Sequence, residues 1–229
     1  MEKIRAGIVN LVFTDNISRN TKRILFYLKK AKDKKLDVIC FPECSLTGFR
    51  NTITKNNSYL KLISERTREY GLNTIVCGYL QIRGSRYNSA ILINSKGMQA
   101  YHKKKSWNEK ISEGKRNLIF TIKGYRCAIL ICWDVGHPRI IESVVRQGAE
   151  IIFWPSYWEG DAKLGVSRNK DLLKSMCIAR AQDYGVIMAL ANSVGKKNVH
   201  YSGIASPRGI ERETQKTEAL LYFDVRKRK

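Results

Sequence analysis

The sequence lacks any apolar run that approaches the roughly 20 residues a membrane-spanning helix needs. Residues 1–5 lead directly into a strand-like stretch and show no apolar core of a signal peptide. Low-complexity linkers are also absent, and there are only 4 prolines among 229 residues. We therefore expect a soluble, cytoplasmic protein without membrane association, in which residues 1–225 form one domain and residues 226–229 form a basic tail.

Acidic residues are scarce: 20 Asp and Glu stand against 42 Lys and Arg, which gives a formal net charge of +22. Such a charge favours anionic partners, namely nucleic acid, an anionic membrane or an acidic small molecule. Lysines spread over solvated faces would give the same number. The excess is densest at 19–35, at 103–105 and in the tail, but no block is long or rich enough in aromatics for a dedicated nucleic-acid site. Nucleic-acid binding is therefore expected only as a weak, charge-driven side property.

The six cysteines lack the context that favours disulfides, since no secretion signal is visible. We expect reduced thiols, with Cys40, Cys77, Cys127 and Cys177 as small core residues in apolar surroundings. Cys40 and Cys44 are four residues apart, but no second pair of Cys or His residues completes a set of metal ligands. The sequence therefore predicts no metal site.

Strand-like and helix-like segments alternate along the whole chain, which predicts an α/β fold with helices covering the sheets. The predicted strands are 4–12, 38–41, 74–80, 90–94, 97–101, 118–122, 126–131, 151–154, 186–191 and 219–225, and the predicted helices are 20–35, 58–70, 138–148 and 171–184. Asn20 is predicted to cap the first helix. Pro155 is predicted to end the strand 151–154. Leu172, Leu173, Met176 and Cys177 are predicted to share the apolar side of the last helix.

Three reactive side chains follow predicted strands, where α/β folds build their sites. Glu43 follows the strand 38–41, Lys103 follows 97–101, and Cys132 ends the apolar run before a helix that begins near Pro138. Helix N-terminal amides and nearby cations would lower the pKa of such a thiol and favour a nucleophilic thiolate. A carboxylate can then act as its base, and a lysine can stabilise negative charge on an attacked carbonyl.

In this order, and with their flanking residues, these side chains resemble the Glu–Lys–Cys triad of the nitrilase superfamily of carbon–nitrogen hydrolases. The motifs that carry the resemblance are Phe41-Pro42-Glu43 with Gly48-Phe49, Tyr87-Asn88-Ser89-Ala90, Tyr101-His102-Lys103, Ile131-Cys132-Trp133-Asp134 with Pro138, Gly148-Ala149-Glu150, Trp154-Pro155-Ser156, Arg180-Ala181, Ala191-Asn192 with Gly195, and Ser202 with Pro207 and Gly209. They span nearly the whole chain, from about Ile4 to Val225.

The resemblance implies a four-layer α-β-β-α sandwich and an amidase-like enzyme. Cys132 would attack the carbon of an amide, carbamoyl or nitrile group and form an acyl-thioester, while ammonia or an amine leaves. Glu43 would be the general base, and Lys103, with the backbone N–H of Trp133, would stabilise the tetrahedral intermediate. Glu109 matches the second glutamate that the family often carries, with Glu113 as the alternative. No metal or organic cofactor is needed, and pairing through the helices near the cysteine predicts a homodimer.

The residues after Cys132 depart from the common family pattern, because Gly136, His137 and Arg139 stand where many members carry Arg, an aromatic residue and Glu. Substrate-binding candidates are Trp133, Asp134, His137, Tyr157 and Trp158. Together with Trp107, the aromatic residues among them line a pocket mouth or pack the core. The net charge favours a neutral or acidic small-molecule substrate, such as an ω-amide of a dicarboxylic acid or an N-carbamoyl amino acid.

Other interpretations remain open at this point. The enzyme could be an N-carbamoyl amidohydrolase or a nitrilase instead of a plain amidase, or could transfer the acyl group to another amine. His102 and His137 also allow a Cys–His mechanism. A different class altogether would be a nucleic-acid-binding or scaffold protein on a non-catalytic fold of this kind, for which Cys132 would be dispensable.

Overall fold

Two six-stranded sheets form the centre of the molecule in the computed structural model, which describes residues 3–106, 108–159, 170–195 and 198–226. The elements are β1 (Lys3–Asn10), α1 (Ile17–Asp33), β2 (Val38–Cys40), α2 (Ser58–Glu69), β3 (Asn73–Ile82), β4 (Ser85–Asn94), β5 (Gly97–His102), β6 (Ile119–Ile122), β7 (Tyr125–Ile129), α3 (Pro138–Val145), β8 (Ile151–Ser156), α4 (Lys170–Tyr184), β9 (Ile187–Asn192), β10 (Ser202–Ser206), β11 (Gly209–Thr214) and β12 (Ala219–Arg226). A short 3-10 helix, Cys132–Gly136, joins β7 to α3.

The two sheets repeat one topology. The first has the order β12-β1-β2-β3-β4-β5, and the second has the order β11-β10-β9-β8-β7-β6. In the first sheet, β1, β2 and β3 are parallel, whereas β4, β5 and β12 run antiparallel to their neighbours. In the second sheet, β7, β8 and β9 are parallel, and β6, β10 and β11 are antiparallel to theirs. Both sheets therefore have three central parallel strands flanked by antiparallel ones, and the C-terminal strand β12 returns to complete the first sheet.

Alternating side chains on the strands decide which layer covers each face. Val9, Ile39 and Val76 pack with Ile24 of α1 and Ile63 of α2 in one cluster on the outer face of the first sheet. Their neighbours in sequence turn to the other face, because successive side chains of a strand point to opposite sides.

That other face contributes to the larger cluster, which lies between the sheets and continues under α3 and α4. Ile8, Cys40 and Cys77 of the first sheet meet Ile129 and Phe153 of the second there. The layers therefore run helices, sheet, sheet, helices, and the predicted α-β-β-α sandwich is confirmed.

The predicted cap of the first helix was wrong by one turn. The helix begins at Ile17, and the side chain of Asn16 accepts a hydrogen bond from the N–H of Arg19. Asn20 is instead fully buried inside α1 and donates to the carbonyls of Thr14 and Leu46. It therefore ties the helix to the loop that carries the candidate base, which a local pattern of helical spacing could not reveal.

Pro155 does not end its strand as predicted, because β8 continues to Ser156. The N–H of Leu130 donates to the carbonyl of Phe153, so the odd-numbered residues of β8 direct their backbone groups toward β7. The backbone of Pro155 is also directed toward β7, but the pairing of β7 with β8 ends at Phe153. The N–H that proline lacks would therefore have no partner in the sheet, and no hydrogen bond between strands is lost. On the opposite side, Ser156 still accepts from the N–H of Ser193.

The apolar side of the last helix is narrower than predicted. Leu173, Cys177 and Ala181 are buried at a spacing of four residues, whereas Leu172 is exposed. The strands β10 and β11 were not predicted. Segments such as Ser202–Ser206 are short and rich in small or polar residues, and they are strands because β9 offers them a free edge.

All six cysteines are unpaired and buried, and Cys40, Cys77, Cys127 and Cys177 lie in the core as predicted. Among the helices that the structure describes, none combines the length and apolar character needed to cross a bilayer. Residues 227–229 of the predicted basic tail lie outside the described residues.

Candidate active site

A row of side chains crosses the first sheet where β3, β4 and β5 reach one edge. Tyr79 lies opposite Asn88 in the antiparallel register, and the N–H of Lys103 donates to the carbonyl of Asn88 at 2.8 Å. Because Cys77 and Ala90, two residues away on their strands, belong to the core between the sheets, Tyr79 and Asn88 face the same interior. Lys103 follows by the same alternation and enters the space between the sheets.

Glu43 is the centre of this row and lies in the loop after β2. Its Oε1 accepts from Nζ of Lys103 at 2.7 Å and from Nδ2 of Asn88 at 2.7 Å. Its Oε2 accepts from the backbone N–H of Tyr157 at 3.0 Å, and Tyr157 directly follows β8 of the second sheet. The side chains of Glu43 and Lys103 are only 4% and 6% exposed. A buried ion pair of this kind is tolerated when further hydrogen bonds satisfy the carboxylate, as they do here.

Cys132 approaches from the second sheet, at the first residue of the 3-10 helix. Its φ of 48° is rare for a residue with a side chain, and such backbone strain is found mainly at functional sites. The indole N–H of Trp154 donates to the carbonyl of Cys132 at 2.9 Å and holds this turn in place. Both Glu43 and Lys103 lie close enough to act electrostatically on the thiol, so the three predicted reactive residues meet.

The expectation of an acidic thiol was wrong for the resting protein. Burial raises the pKa of Cys132 to about 12, the negative charge of Glu43 adds to this rise, and Lys103 opposes it. The neighbouring cation is therefore already neutralised by Glu43, and the thiol holds its proton until a base removes it.

Lys103 is a permanent cation in this site. Burial alone would lower the pKa of its ammonium group, but the charge of Glu43 and the hydrogen bond to it oppose burial, and the net pKa lies above the ordinary value. A charged lysine next to the reactive thiol can stabilise an oxyanion without a proton transfer of its own.

Asp134, predicted to bind substrate, is used entirely inside the protein. Its Oδ2 accepts from the hydroxyl of Tyr101 at 2.7 Å and from the N–H of Ile131 at 3.2 Å. Its Oδ1 accepts from the N–H groups of Lys104 and Lys105 at 3.1 and 2.9 Å. Burial raises the pKa of Asp134, and the bond from Tyr101 opposes that rise. Since four internal donors occupy a fully buried carboxylate, Asp134 joins the loop after β5 to the cysteine turn instead of contacting substrate.

The described tryptophans predicted near the mouth are a buried one, Trp158, and a partly buried one, Trp133, which packs against the core. Trp158 is buried and packs against Trp133, with ring centroids 5.6 Å apart. Trp133 is half-buried and also meets the ring of His137 edge-on. These contacts place Trp133 and His137 beside the cysteine turn, while Trp107 lies outside the described residues.

Tyr157 is half-buried and joins an aromatic cluster on the other side of Glu43. Its ring lies 4.5 Å from that of Phe49 and 5.4 Å from that of Phe13. Phe49 in turn lies 6.5 Å from Tyr79. The position of Tyr157 next to the candidate base is consistent with the predicted contact with substrate, which stays a prediction.

Glu109 is not brought to the buried cluster. It is exposed in a turn of the loop after β5. The alternative, Glu113, is also exposed, and its carboxylate accepts from the N–H of Ser106 and pairs with Lys105. The role that the family resemblance implies for Glu109 therefore has no support from hydrogen bonds of the described residues.

The histidines do not favour a Cys–His mechanism. His102 directly precedes Lys103 on β5, so its side chain points to the opposite face of the sheet, where Nδ1 contacts Oγ of Ser89 at 2.7 Å. His137 follows the 3-10 helix and contacts Trp133. Glu43, in contrast, is a carboxylate whose charge acts directly on the thiol of Cys132.

Sequence reasoning missed two groups of the site. Asn88 was noted only as part of a motif, although its amide binds Glu43 directly, and the backbone N–H of Tyr157 carries no signature of residue type. The amide of Asn88 is buried and needs a polar partner, but its burial is visible only in the folded protein.

Comparison with known proteins places these features in context. The model of the carbon–nitrogen hydrolase family matches residues 5–227. Glutamine-dependent NAD(+) synthetase of Xanthomonas campestris pv. campestris (strain 8004) is 26% identical over 199 residues, which cover 78% of this chain and 35% of the synthetase. The chain thus spans about a third of the length of the synthetases it matches.

A second relative is closer to this chain in length. 2-Oxoglutaramate amidase of Bacillus subtilis (strain 168) is 24% identical over 193 residues, which cover 78% of this chain and 71% of the amidase. Among solved structures, XC1258 from Xanthomonas campestris, a CN-hydrolase superfamily protein, superposes with a TM-score of 0.86 at 18% identity and covers 99% of this chain and 91% of that one. This structural likeness shows the shared fold.

Proposed function

The chain belongs to the carbon–nitrogen hydrolase family, and from this premise we propose that it hydrolyses the C–N bond of a small amide through an acyl-thioester on Cys132. The observation that carries the proposal is the convergence of Glu43, Lys103 and Cys132 from two sheets into one buried cluster. A scaffold needs none of these side chains there, and a buried ion pair beside a strained cysteine is costly to keep without chemical use.

The first half-reaction follows from the positions of the three groups. Glu43 takes the thiol proton, and the sulfur of Cys132 forms a bond to the amide carbon, whose oxygen becomes an oxyanion. Lys103 and the backbone N–H of Trp133 stabilise this oxyanion. When the intermediate collapses, the proton held by Glu43 passes to the leaving nitrogen, the C–N bond breaks, and ammonia or an amine departs. The acyl group remains on Cys132 as a thioester.

The second half-reaction uses the same groups with water. Glu43 removes a proton from the water molecule, whose oxygen attacks the thioester carbon, and Lys103 again stabilises the oxyanion. The C–S bond then breaks, the proton returns to the sulfur, and the acid leaves. The bonds to Oε1 from Lys103 and Asn88 keep Glu43 oriented through both steps.

The test is ammonia release from a panel of primary amides, ω-amido acids and N-carbamoyl compounds, with wild-type protein and Cys132→Ala side by side. We expect release by the wild type only. Cys177→Ala is a matched control, because that thiol is also buried but lies on the inner side of α4, against the carbonyl of Gly203 on β10. Release by Cys132→Ala would contradict the mechanism, and no release from any compound would contradict the proposed substrate class.

The oligomeric state and the location expected from sequence remain proposals. We propose a homodimer, which light scattering coupled to size-exclusion chromatography would test against a monomer of 26.3 kDa. We likewise propose that the protein acts in the cytoplasm, where fractionation would find it.

A further inference from the structure

Glu43 and the two side chains that bind it, Asn88 and Lys103, form a reactive row, and Arg86 lies one step outward from it on the same face of the first sheet. It precedes Asn88 by two residues on β4 and pairs with Gln81 of β3. Since alternate residues of a strand share a face, Arg86 points to the side on which Asn88 binds Glu43. Two residues along a strand correspond to about 7 Å, so the backbone of Arg86 lies about that far from the backbone of Asn88.

The guanidinium group of Arg86 is held in a fixed position. It lies over the ring of Tyr79, 3.9 Å from the ring centroid, and its Nη2 donates to the carbonyl of Phe49 at 2.8 Å. A planar cation stacked on an aromatic ring and anchored by one donor loses little further freedom when it binds a ligand. The side chain is therefore prepared for recognition before any ligand arrives.

Arg86 has a hydrogen-bond donor and a positive charge that are available to bind an anion. Its Nε is buried and has no hydrogen-bond partner within the described part of the chain, and no carboxylate of that part forms an ion pair with it. A buried donor without a partner is costly, and a ligand that accepts from it removes that cost. Lys103, in contrast, is already neutralised by Glu43. Within the described part of the chain, Arg86 is thus a positive charge beside the reactive row without a carboxylate partner.

Tyr79 connects this cation to the reactive groups. The charges of Glu43, Arg86 and Lys103 all act on its hydroxyl, although burial is the main reason for its raised pKa. The rings of Phe49 and Tyr157 continue from Tyr79 to the backbone N–H that binds Glu43. Arg86 is thus separated from the reactive row by a single aromatic layer.

We propose that Arg86 binds a carboxylate of the substrate, so that the preferred substrates are amides with a carboxylate a few carbon atoms from the reacting carbonyl. The proposal rests on the proposed function, because it names the substrate class of that same site. Guanidinium and carboxylate groups match in charge and in geometry, and the bond is stronger in a site shielded from water. An amide that carries a cation at the same place would be repelled.

A structural role is the competing explanation, because Arg86 also holds the Phe49 carbonyl. The two roles differ in which substrates they affect. A structural clamp supports every substrate alike, whereas a carboxylate site supports only acidic ones.

The experiment compares glutaramate with pentanamide, which has the same chain length and lacks the carboxylate. We expect Arg86→Gln to lower the ratio of kcat/KM for glutaramate to that for pentanamide at least tenfold, mainly through KM. Arg86→Lys, which keeps the charge, should retain more of the ratio than Arg86→Gln. Arg83→Gln is the matched control, because Arg83 is exposed in the β3–β4 turn, and it should leave the ratio as in the wild type. An unchanged ratio in Arg86→Gln, or an equal loss for both amides, would overturn the proposal.

Binding gives a second readout that does not need turnover. Isothermal titration of glutaramate into Cys132→Ala should show binding that weakens at least tenfold when Arg86→Gln is added. If the wild type hydrolyses neither amide but this difference in affinity appears, the proposed reaction fails while the carboxylate site stands. If glutaramate binds equally with and without Arg86, or not at all, the carboxylate site is overturned whatever the enzyme hydrolyses.

Discussion

Nζ of Lys103 lies 2.7 Å from Oε1 of Glu43, and both side chains are buried between the two sheets. The pair joins residues 60 positions apart in sequence. Glu43 is the candidate base and Lys103 the candidate oxyanion stabiliser. Each charge partly neutralises the other in this buried ion pair. Their separate effects on Cys132 have opposite signs.

Removing either member of this pair should abolish most of the activity. We expect Glu43→Gln and Lys103→Ala each to lower kcat at least 100-fold, about the usual cost of losing a general base or an oxyanion donor. Steady-state ammonia release measures the loss. Each variant leaves one charge buried without its partner, which costs on the order of 3–5 kcal/mol of stability, so circular dichroism must show that the variants are folded. Glu69→Gln, at an exposed helix position, is the control, and full activity in Glu43→Gln would refute the base assignment.

The raised pKa of Cys132 predicts how its alkylation depends on pH. Because burial raises the pKa of Cys132 to about 12, the thiol is protonated near neutral pH, so iodoacetamide should react slowly there and faster as pH rises. The pKa of Cys132 in the folded protein lies above that of an ordinary thiol. The folded protein therefore keeps the protonated thiol until the pH rises through this higher pKa. Mass spectrometry of the labelled peptide at several pH values follows the reaction.

The same measurement separates the two charges that act on the thiol. Glu43→Gln removes a group that raises the pKa of Cys132, so its alkylation should begin at lower pH. Lys103→Ala removes a group that lowers this pKa, so alkylation should begin at higher pH. Shifts of the same direction in both variants would contradict the arrangement.

Asn88 should act as a positioning residue for the base. Asn88→Ala removes one of the two donors to Oε1 of Glu43, and we expect about a tenfold lower kcat, a typical cost of losing one charge-assisted hydrogen bond. Asn88→Asp places a second carboxylate beside Glu43, and like charges raise the pKa of the pair. The acid limb of the pH profile of kcat should therefore move to higher pH in Asn88→Asp and not in Asn88→Ala. A purely structural role would lower kcat in both without moving that limb.

Asp134 should matter for stability more than for substrate affinity. Asp134→Asn replaces one acceptor oxygen by a donor group, which then faces either the Tyr101 hydroxyl or the amides of Lys104 and Lys105. A buried donor left without an acceptor costs about 1–3 kcal/mol, which urea unfolding would detect. Asp183→Asn, an exposed position on α4, is the control. A large rise in KM at unchanged stability would restore the role in substrate binding.

The sequence alone determined the alternation of strands and helices and the positions of Glu43, Lys103 and Cys132. Each of these depends on short-range patterns, namely apolar periodicity and motifs of a few residues. Boundaries that depend on a distant partner were less predictable. Asn20 was predicted to cap a helix, but its side chain donates to the carbonyl of Leu46 in a distant loop. Pro155 was predicted to end a strand, but the strand tolerates it because the pairing with β7 ends before that position.

Only the tertiary structure decided how the site works. The pKa of Cys132 depends on burial and on two charges from other strands, and the occupation of Asp134 depends on donors about 30 residues away. Arg86 and Asn88 share a face with the reactive row because of the register of β3 against β4. Neither burial nor register is written in any local stretch of sequence, because both arise when segments far apart in the chain pack together.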